Sequence, residues 1–484
     1  MDPTLMIHRR QLLLSLGAMG LARASTRAAA ATLQSPFGRV MVSVADFGAP
    51  PGFAGDATRA IQAAINFVER SGGGTVLIPG RYRCGPIAIS GANIRLQGQS
   101  GVLVDARLTV RSQASNVTVS DLVLLDTRGD RQTYLMDISG RNCRFTNVSL
   151  VKDPPAGGYQ MYVKPAASGC HFDGLKLLGS NGIMLAGRDH LFENFEFQSM
   201  MRKGHAGDDA FAIKGDGDLT ENIVIRNGII RGYAAIVSFG SEIGRRGGKG
   251  RPGAVRDVTV ENVTGDRCTH VAFFKPGALV YDWRDGLVER VRLRNLTLND
   301  PTGEYFRTGI EIRAARGAMI RDVQASGIKI SARAMDRGIA PTAAVFIEVM
   351  DTGAPATIRD VSLQLDFADP YAGAPHGPRT PGYPVNYVVQ IRKRNPASGS
   401  MTGIVLDVEG RGSAVAGILV GKGLDGAVSV PRAVLTKVAT DPPRTYGGGI
   451  WSDSQLKLGQ VRVEPVKHAK FGGRAFNGPK PLRP

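Results

Sequence analysis

Aromatic residues make up only 6% of the 484-residue chain, with two tryptophans, and cysteine is scarcer still at four. Cys84, Cys143, Cys170 and Cys268 are too few to staple a chain of this length, and none has a CxxC spacing. A disulfide scaffold and a sulfur-ligated metal are therefore excluded. No apolar run reaches the roughly 20 residues needed to cross a bilayer, so no membrane anchor is expected. Helical periodicity is scarce, which argues against a helical bundle. Acidic residues are also in deficit, 42 Asp and Glu against 60 Lys and Arg, for a formal charge of +18. Such an excess favours a polyanionic partner: nucleic acid, anionic lipid or acidic polysaccharide. Against these shortages stand 62 glycines and a 43% hydrophobic share, enough for a globular chain with a large core and many turns.

Residues 1–31 read as an export signal. Arg9-Arg10 precede Leu12-Leu13-Leu14-Ser15-Leu16-Gly17, a short glycine-containing apolar stretch, followed by alanine-rich sequence with cleavage expected after Ala24 or one of Ala28 to Ala31. Paired arginines and weak hydrophobicity fit a twin-arginine signal better than an ordinary secretory one. The segment holds four arginines and one aspartate, so the basic excess belongs to the remaining chain. A periplasmic or secreted location follows as an expectation, and with it no nucleic-acid role.

Next, Val42 to Ala49 alternates as a strand. Asp56 is expected to cap a helix whose apolar face is Ala60, Ile61, Ala64, Ile65 and Val68, stopped by Gly72-Gly73-Gly74. From about residue 90 a short alternating motif recurs, for example Asn116-Val117-Thr118-Val119, Ile223-Val224-Ile225-Arg226-Asn227 and Val258-Thr259-Val260-Glu261-Asn262. Starts near 93, 116, 142, 170, 191, 223, 258, 287, 319 and 357 give intervals of 21 to 38 residues, a solenoid period. Short strands without crossover helices predict an all-β, right-handed parallel β-helix over 32–440, its open end covered by the early helix. Cys143 and Cys170 occupy matching places and are expected to stack, with packing favoured over a bond. Residues 441–484 read as a basic C-terminal tail.

One segment concentrates acid: His205-Ala206-Gly207-Asp208-Asp209-Ala210-Phe211-Ala212-Ile213-Lys214-Gly215. Adjacent carboxylates repel, which raises one pKa as a general acid requires, while the other stays charged to activate water. A solvated turn holding two aspartates is the plainer alternative.

This segment resembles the Asp-Asp-Cys-Ile-Ala-Ile-Lys-Ser-Gly signature of polygalacturonase-like enzymes, glycoside hydrolase family 28 within the pectate lyase superfamily. Ile236 to Gly244, containing Gly240-Ser241-Glu242, is similar to that family's Leu-Ser-Ile-Gly-Ser-Glu stretch. The start at Val44-Ala45-Asp46-Phe47-Gly48-Ala49 with Gly72-Gly73-Gly74-Thr75-Val76 is also similar to the family's. Departures accompany the likeness. The family's Asn-Thr-Asp falls on Ser180-Asn181-Gly182, its Gly-His-Gly on Tyr233-Ala234-Ala235, and its Arg-Ile-Lys on Phe273-Phe274-Lys275. A remote relative with altered recognition is implied.

The resemblance implies that Asp208 is the acid and Asp209 assists water in an inverting hydrolysis, which needs carboxyls roughly 6.5–9.5 Å apart. No cofactor is implied. Lys275 and Arg313 are candidates to meet an anionic sugar, and His205 to bind sugar or tune the acid; scattered surface cations and an exposed loop histidine are the plainer alternatives. The basic, glycine-rich loop Arg245 to Arg251 reads equally as a substrate-steering flap or a solvated loop. The favoured function is an exported hydrolase of an acidic polysaccharide. Two alternatives stand beside it: a lyase, using Lys or Arg as base with Ca²⁺ held by Asp208, Asp209, Asp216 and Asp218, and a noncatalytic glycan-binding solenoid.

Overall fold

The computed structural model describes residues 33–34, 40–129, 134–153, 155, 157–200, 207–277, 282–335, 342–372, 385–413, 416–439 and 450–466. They form a parallel β-helix. One wall is a sheet in which thirteen strands, from Pro86–Ile89 to Ile450–Ser452, follow one another in a single parallel path. The other sheet has 21 strands, all parallel except the pairing of Leu33–Gln34 with Val40–Ser43.

Corners come from residues that tolerate the left-handed region. Asn227, Asn262 and Asn295 have φ of 57°, 55° and 51° within the long strands Leu219–Arg231, Ala254–Asp266 and Leu287–Asp300. Asparagine accepts this conformation at low cost, and its short amide can bond locally. Here the amides bond between coils instead: Asn262 Nδ2 donates to Asn227 Oδ1 at 3.3 Å, and Asn295 Nδ2 to Asn262 Oδ1 at 3.2 Å. The recurring asparagine of the sequence motif is thus a corner ladder.

Inside the coil, like residues stack in register. Ile225, Val260, Leu293, Ala325, Leu363 and Leu406 form one buried column. Phe172 lies between Phe145 and Phe192 at centroid distances of 4.8 and 4.2 Å with nearly parallel rings. Each fully buried apolar side chain contributes about 1.5–3 kcal/mol, so the stability is spread evenly along the coil. Cys143 and Cys170 are buried on adjacent coils without a disulfide, and the neighbouring Cys143 thiol, together with burial, pushes the Cys170 thiol up.

Helix α1 (Thr58–Arg70) buries Ile61, Ala64, Ile65 and Val68 against the strands Val40–Ser43, Gly74–Ile78 and Pro86–Ile89 of the first coils. Its cap position is Ala57 rather than Asp56. Asp56 acts one residue early, accepting from the Thr58 amide at 2.8 Å and from the Thr58 hydroxyl.

At the other end, Ile450–Ser452 pairs with Ala416–Val420, and Leu456–Val466 with Val428–Ala439. The coil therefore extends into the stretch expected as a tail from 441. Polar and charged residues between Leu456, Leu458, Val461 and Val463 give that stretch a tail-like composition, yet the alternation still suits a strand. Residues 441–449 and 467–484, and the expected signal at 1–31, lie outside the described residues. No helix among the described residues is long and apolar enough to cross a membrane.

Candidate functional site

Six successive strands of the thirteen-strand wall build the site: β1 (Tyr159–Val163), β2 (Asn181–Leu185), β3 (Phe211–Asp216), β4 (Ala235–Arg246), β5 (His270–Phe274) and β6 (Thr308–Ala314). Their registers carry β1 onto β2, β2 onto β3, and so on to β6. Asp208 and Asp209 occupy the bend that enters β3, and Lys275 directly follows β5. A cleft of about 270 Å³ opens between them, and His270, Phe273 and Arg307 also line it.

Asp208 is exposed at the cleft and fixed from three sides. Tyr159 Oη donates to its Oδ2 at 3.1 Å, the Asp209 amide donates to its Oδ1 at 3.0 Å, and its own amide donates to Asn181 Oδ1 at 3.1 Å. Partial withdrawal of its carboxyl from water in the cleft, and then the charge of Asp209, raise its pKa, partly offset by Lys275, the Asp209 amide and the Tyr159 hydroxyl. The Tyr159 phenol is pushed well up, first by burial and then by the two aspartates, so it stays a donor.

Asp209 is 1% exposed. Lys275 Nζ bonds its Oδ2 at 3.1 Å, while its Oδ1 has no hydrogen-bond partner among the described residues. The Lys275 ammonium also lies 4.5 Å from the centre of the Phe273 ring. Burial opposes that ammonium, but the carboxylates of Asp209 and Asp208 outweigh it and the lysine pKa rises. Lys275 is thus a protonated partner of Asp209, poorly suited to act as a free base.

His270 is buried, with Nδ1 2.8 Å from the Thr308 carbonyl and 3.7 Å from Glu311. Burial lowers its pKa despite these partners, which keeps the imidazole neutral. It pairs in register with Ala235, so an imidazole stands one coil beyond Tyr233-Ala234-Ala235. Beside the site, Lys214 reaches Glu242 on β4 and also donates to the Gly240 carbonyl at 3.0 Å.

Of the residues singled out in the sequence, Asp208, Asp209 and Lys275 come together. Arg313 does not. Its guanidinium is taken up by Glu311 at 2.8 Å and Glu348 at 3.4 Å, stacks on Phe346, and is not among the cleft-lining residues. The buried glutamates beside it, which charge composition alone does not reveal, account for the difference. His205 lies outside the described residues. Asp216 and Asp218 sit at the far end of β3 and beyond it and do not join Asp208 and Asp209 in a Ca²⁺ cage. Among the described residues the one cluster of three spaced for a metal is His171, Asp173 and Glu193, elsewhere on the coil. Arg245 of the basic loop is tied to Asp285. Tyr159, Asn181, His270 and Arg307 were not anticipated. Stacking the repeats at their true offsets is the signal that reaches them.

No known family profile and no curated protein matches the sequence. Solved structures do. A tailspike mutant of E. coli bacteriophage HK620 in complex with a pentasaccharide is 12% identical, with a TM-score of 0.55 over 88% of this chain and 81% of that one. Another tailspike mutant of the same phage, in complex with a hexasaccharide, is 13% identical with a TM-score of 0.54, covering 87% and 82%. A hyperthermoactive exopolygalacturonase from Thermotoga maritima is 14% identical with a TM-score of 0.39, covering 87% and 91%. The tailspike superpositions establish a shared parallel β-helix, and at such identities nothing narrower.

Proposed function

We propose that the chain is an exported glycoside hydrolase acting on an acidic polysaccharide, with Asp208 as its general acid. The observation that carries this reading is the division of labour within one carboxylate pair. Asp209 is buried and bound to Lys275, while Asp208 faces the cleft with its proton affinity raised. A carboxyl of raised proton affinity at the entrance of a cleft suits protonation of a glycosidic oxygen. The fold shared with the oligosaccharide-bound tailspikes is compatible with a long saccharide lying across the coils.

Asp209 is ill placed to activate water, since it is buried and its amide touches the acid itself. Its role is to set the proton affinity of Asp208. We assign water activation to Glu242 on β4, 27% exposed beside the cleft, where its Oε2 is held by Lys214 and its charge acts on both Tyr159 and Lys275. Asp208 precedes β3 and Glu242 lies on β4, so the two acids come from neighbouring coils; an inverting displacement needs them roughly 6.5–9.5 Å apart.

A lyase is less well supported, because Lys275 is already neutralised by Asp209 and the four aspartates proposed for Ca²⁺ do not converge. The deciding experiment screens the protein against acidic polysaccharides while recording reducing ends and the absorbance of unsaturated uronate. New reducing ends without absorbance, insensitive to chelator, support hydrolysis. Absorbance that disappears with chelator overturns it in favour of elimination, and binding without either signal overturns it in favour of a noncatalytic solenoid.

A further inference from the structure

Tyrosines gather on one side of the cleft. The chain has 11 of them, and Tyr134, Tyr159 and Tyr162 meet at β1 and just ahead of the strand before it, Met136–Ile138. Tyr159 turns its hydroxyl to Asp208. Tyr162 points away from the core, between the buried Met161 and Val163, and its ring centre lies 5.4 Å from that of Tyr134 at an interplanar angle of 43°. The Tyr134 hydroxyl donates to Met184 Sδ on β2 at 3.6 Å, so this side chain reaches across β1. Both rings are half-buried, which leaves part of each open to solvent. Asp137, paired in register with Tyr162 and 2% exposed, binds Arg107 at 2.7 Å and Lys164 at 2.8 Å, and the Lys164 ammonium lies 5.7 Å from the centre of the Tyr162 ring. These cations are thus taken up by an internal carboxylate, and what the patch presents is aromatic surface with a thioether beside it. The patch is continuous with the cleft. Tyr162, Met184, Ala212, Ser238 and Phe273 form one column of outward positions from β1 to β5, and Phe273 lines the cleft. With strands about 4.8 Å apart, Tyr162 stands about 10 Å to one side of β3 and Phe273 about 10 Å to the other.

We propose that Tyr134 and Tyr162 form a second saccharide-binding site, a platform on which a pyranose ring of the same glycan chain stacks, two coils to the N-terminal side of Asp208. This rests on the reading of the cleft as a glycan site and adds where the chain continues beyond it. The chemistry favours a sugar ring. A pyranose carries C–H groups on its faces and hydroxyls around its rim, so an aromatic surface takes the face by apolar contact and leaves the rim to water and to polar neighbours. Burial, and then the neighbouring Tyr134, raise the Tyr162 phenol, so its hydroxyl stays protonated and is a donor for that rim. About 10 Å from the coil of Asp208 is too far for the ring that reacts and within reach of the chain to which it belongs. The platform therefore holds substrate without touching the reacting bond. Such binding is felt alike in the ground state and the transition state, so it acts on KM rather than on kcat, and it does not depend on the charge of the sugar.

The test compares the full-length protein with Tyr162→Ala, Tyr162→Phe and Tyr134→Ala, each checked for folding by circular dichroism. Binding is measured by calorimetry in an Asp208→Asn background, so that ligands are not turned over. The probes are uronate oligomers, as hexuronic-acid hexamers, and their carboxyl-reduced neutral counterparts. Values of kcat and KM are measured with Asp208 intact. Either alanine variant is expected to weaken binding of both series by about 5- to 30-fold and by the same factor, and to raise KM to match with kcat within about twofold. Tyr162→Phe keeps the ring and should retain most of the affinity. The proposal is overturned if the folded alanine variants bind hexamers as the parent does, if the loss is confined to the acidic series, or if kcat falls while KM stands. Weaker binding in the alanine variants without any cleavage by the wild-type protein would leave the platform standing and refute the hydrolase. Cleavage by the wild type with a KM indifferent to both alanine changes would do the reverse, and no binding of either series would refute both.

Discussion

Lys275 Nζ and Asp209 Oδ2 meet at 3.1 Å although 66 residues separate them, the lysine following β5 and the aspartate preceding β3. Two coils of the solenoid are thereby bridged at the base of the cleft. Both side chains are largely withdrawn from solvent, at 14% and 2% exposure. The pair fixes a negative charge beside Asp208 and cancels that charge toward the rest of the interior.

Removing one partner should therefore cost more than removing both. Lys275→Met leaves a buried carboxylate unpaired and is expected to destabilise the protein by about 3–5 kcal/mol. The double variant Lys275→Met/Asp209→Asn should recover a large part of that loss. Denaturant unfolding of the four proteins forms a double-mutant cycle. A loss in the double variant equal to the sum of the losses in the two single variants would show that the pair is not coupled.

The pH profile follows from the groups around Asp208. As an acid it works protonated, so the alkaline limb of the rate falls as pH rises through its folded-state pKa, which lies above the ordinary 3.8. The Tyr159 hydroxyl lowers that pKa by donating to the carboxylate, so Tyr159→Phe should move the falling limb to higher pH. Asp209→Asn removes a charge that raises it and should move the limb lower. Rates across pH for the three proteins measure both shifts, and displacements in the same direction would contradict the assignment.

Stability toward acid has a separate source. His190 is buried, accepts the Cys170 amide at Nδ1 at 3.2 Å, and burial depresses its pKa from 6.5 to about 4. The folded state holds it neutral where the unfolded chain binds a proton. Its contribution is complete above pH 6.5 and is lost as pH falls toward 4, a change on the order of 3 kcal/mol. Melting temperature should decline over that window, and less steeply in His190→Asn. Parallel declines would remove His190 as the cause.

How much of this could be read from the sequence depends on where each residue lies along the coil. The fold was legible because Val258, Val260 and Val263 alternate with polar partners and Asn262 closes the turn, a pattern repeated coil after coil. Asp208, Asp209 and Lys275 were legible because they lie within contiguous motifs. Arg307, His270, Asn181 and Tyr159 were not, since each arrives from a different coil and the offset between coils varies. Phe172 stacks on Phe192, 20 residues on, whereas Val260 stacks on Leu293, 33 on. No fixed period aligns such residues; the strand registers do. Arg313 failed for another reason: Glu311 and Glu348 bind it, one from its own strand and one from the next coil.

Glu242 offers a check on the division between acid and base. Glu242→Gln removes the carboxylate that activates water but keeps an acceptor for Lys214 and the shape of β4. Turnover should fall about 100-fold or more while binding of the uronate oligomers is retained. Unchanged turnover would show that Glu242 is not the base.

The central claim is that Asp208 is the proton donor of a hydrolytic site, and the most direct test is the release of reducing ends by Asp208→Asn on the polysaccharide the wild-type protein cleaves best. The account predicts a loss of about 100- to 10,000-fold in rate with the melting temperature essentially unchanged, since Asn keeps the side chain's size and can still bond Tyr159. A variant that stays folded and releases reducing ends at the wild-type rate would contradict it.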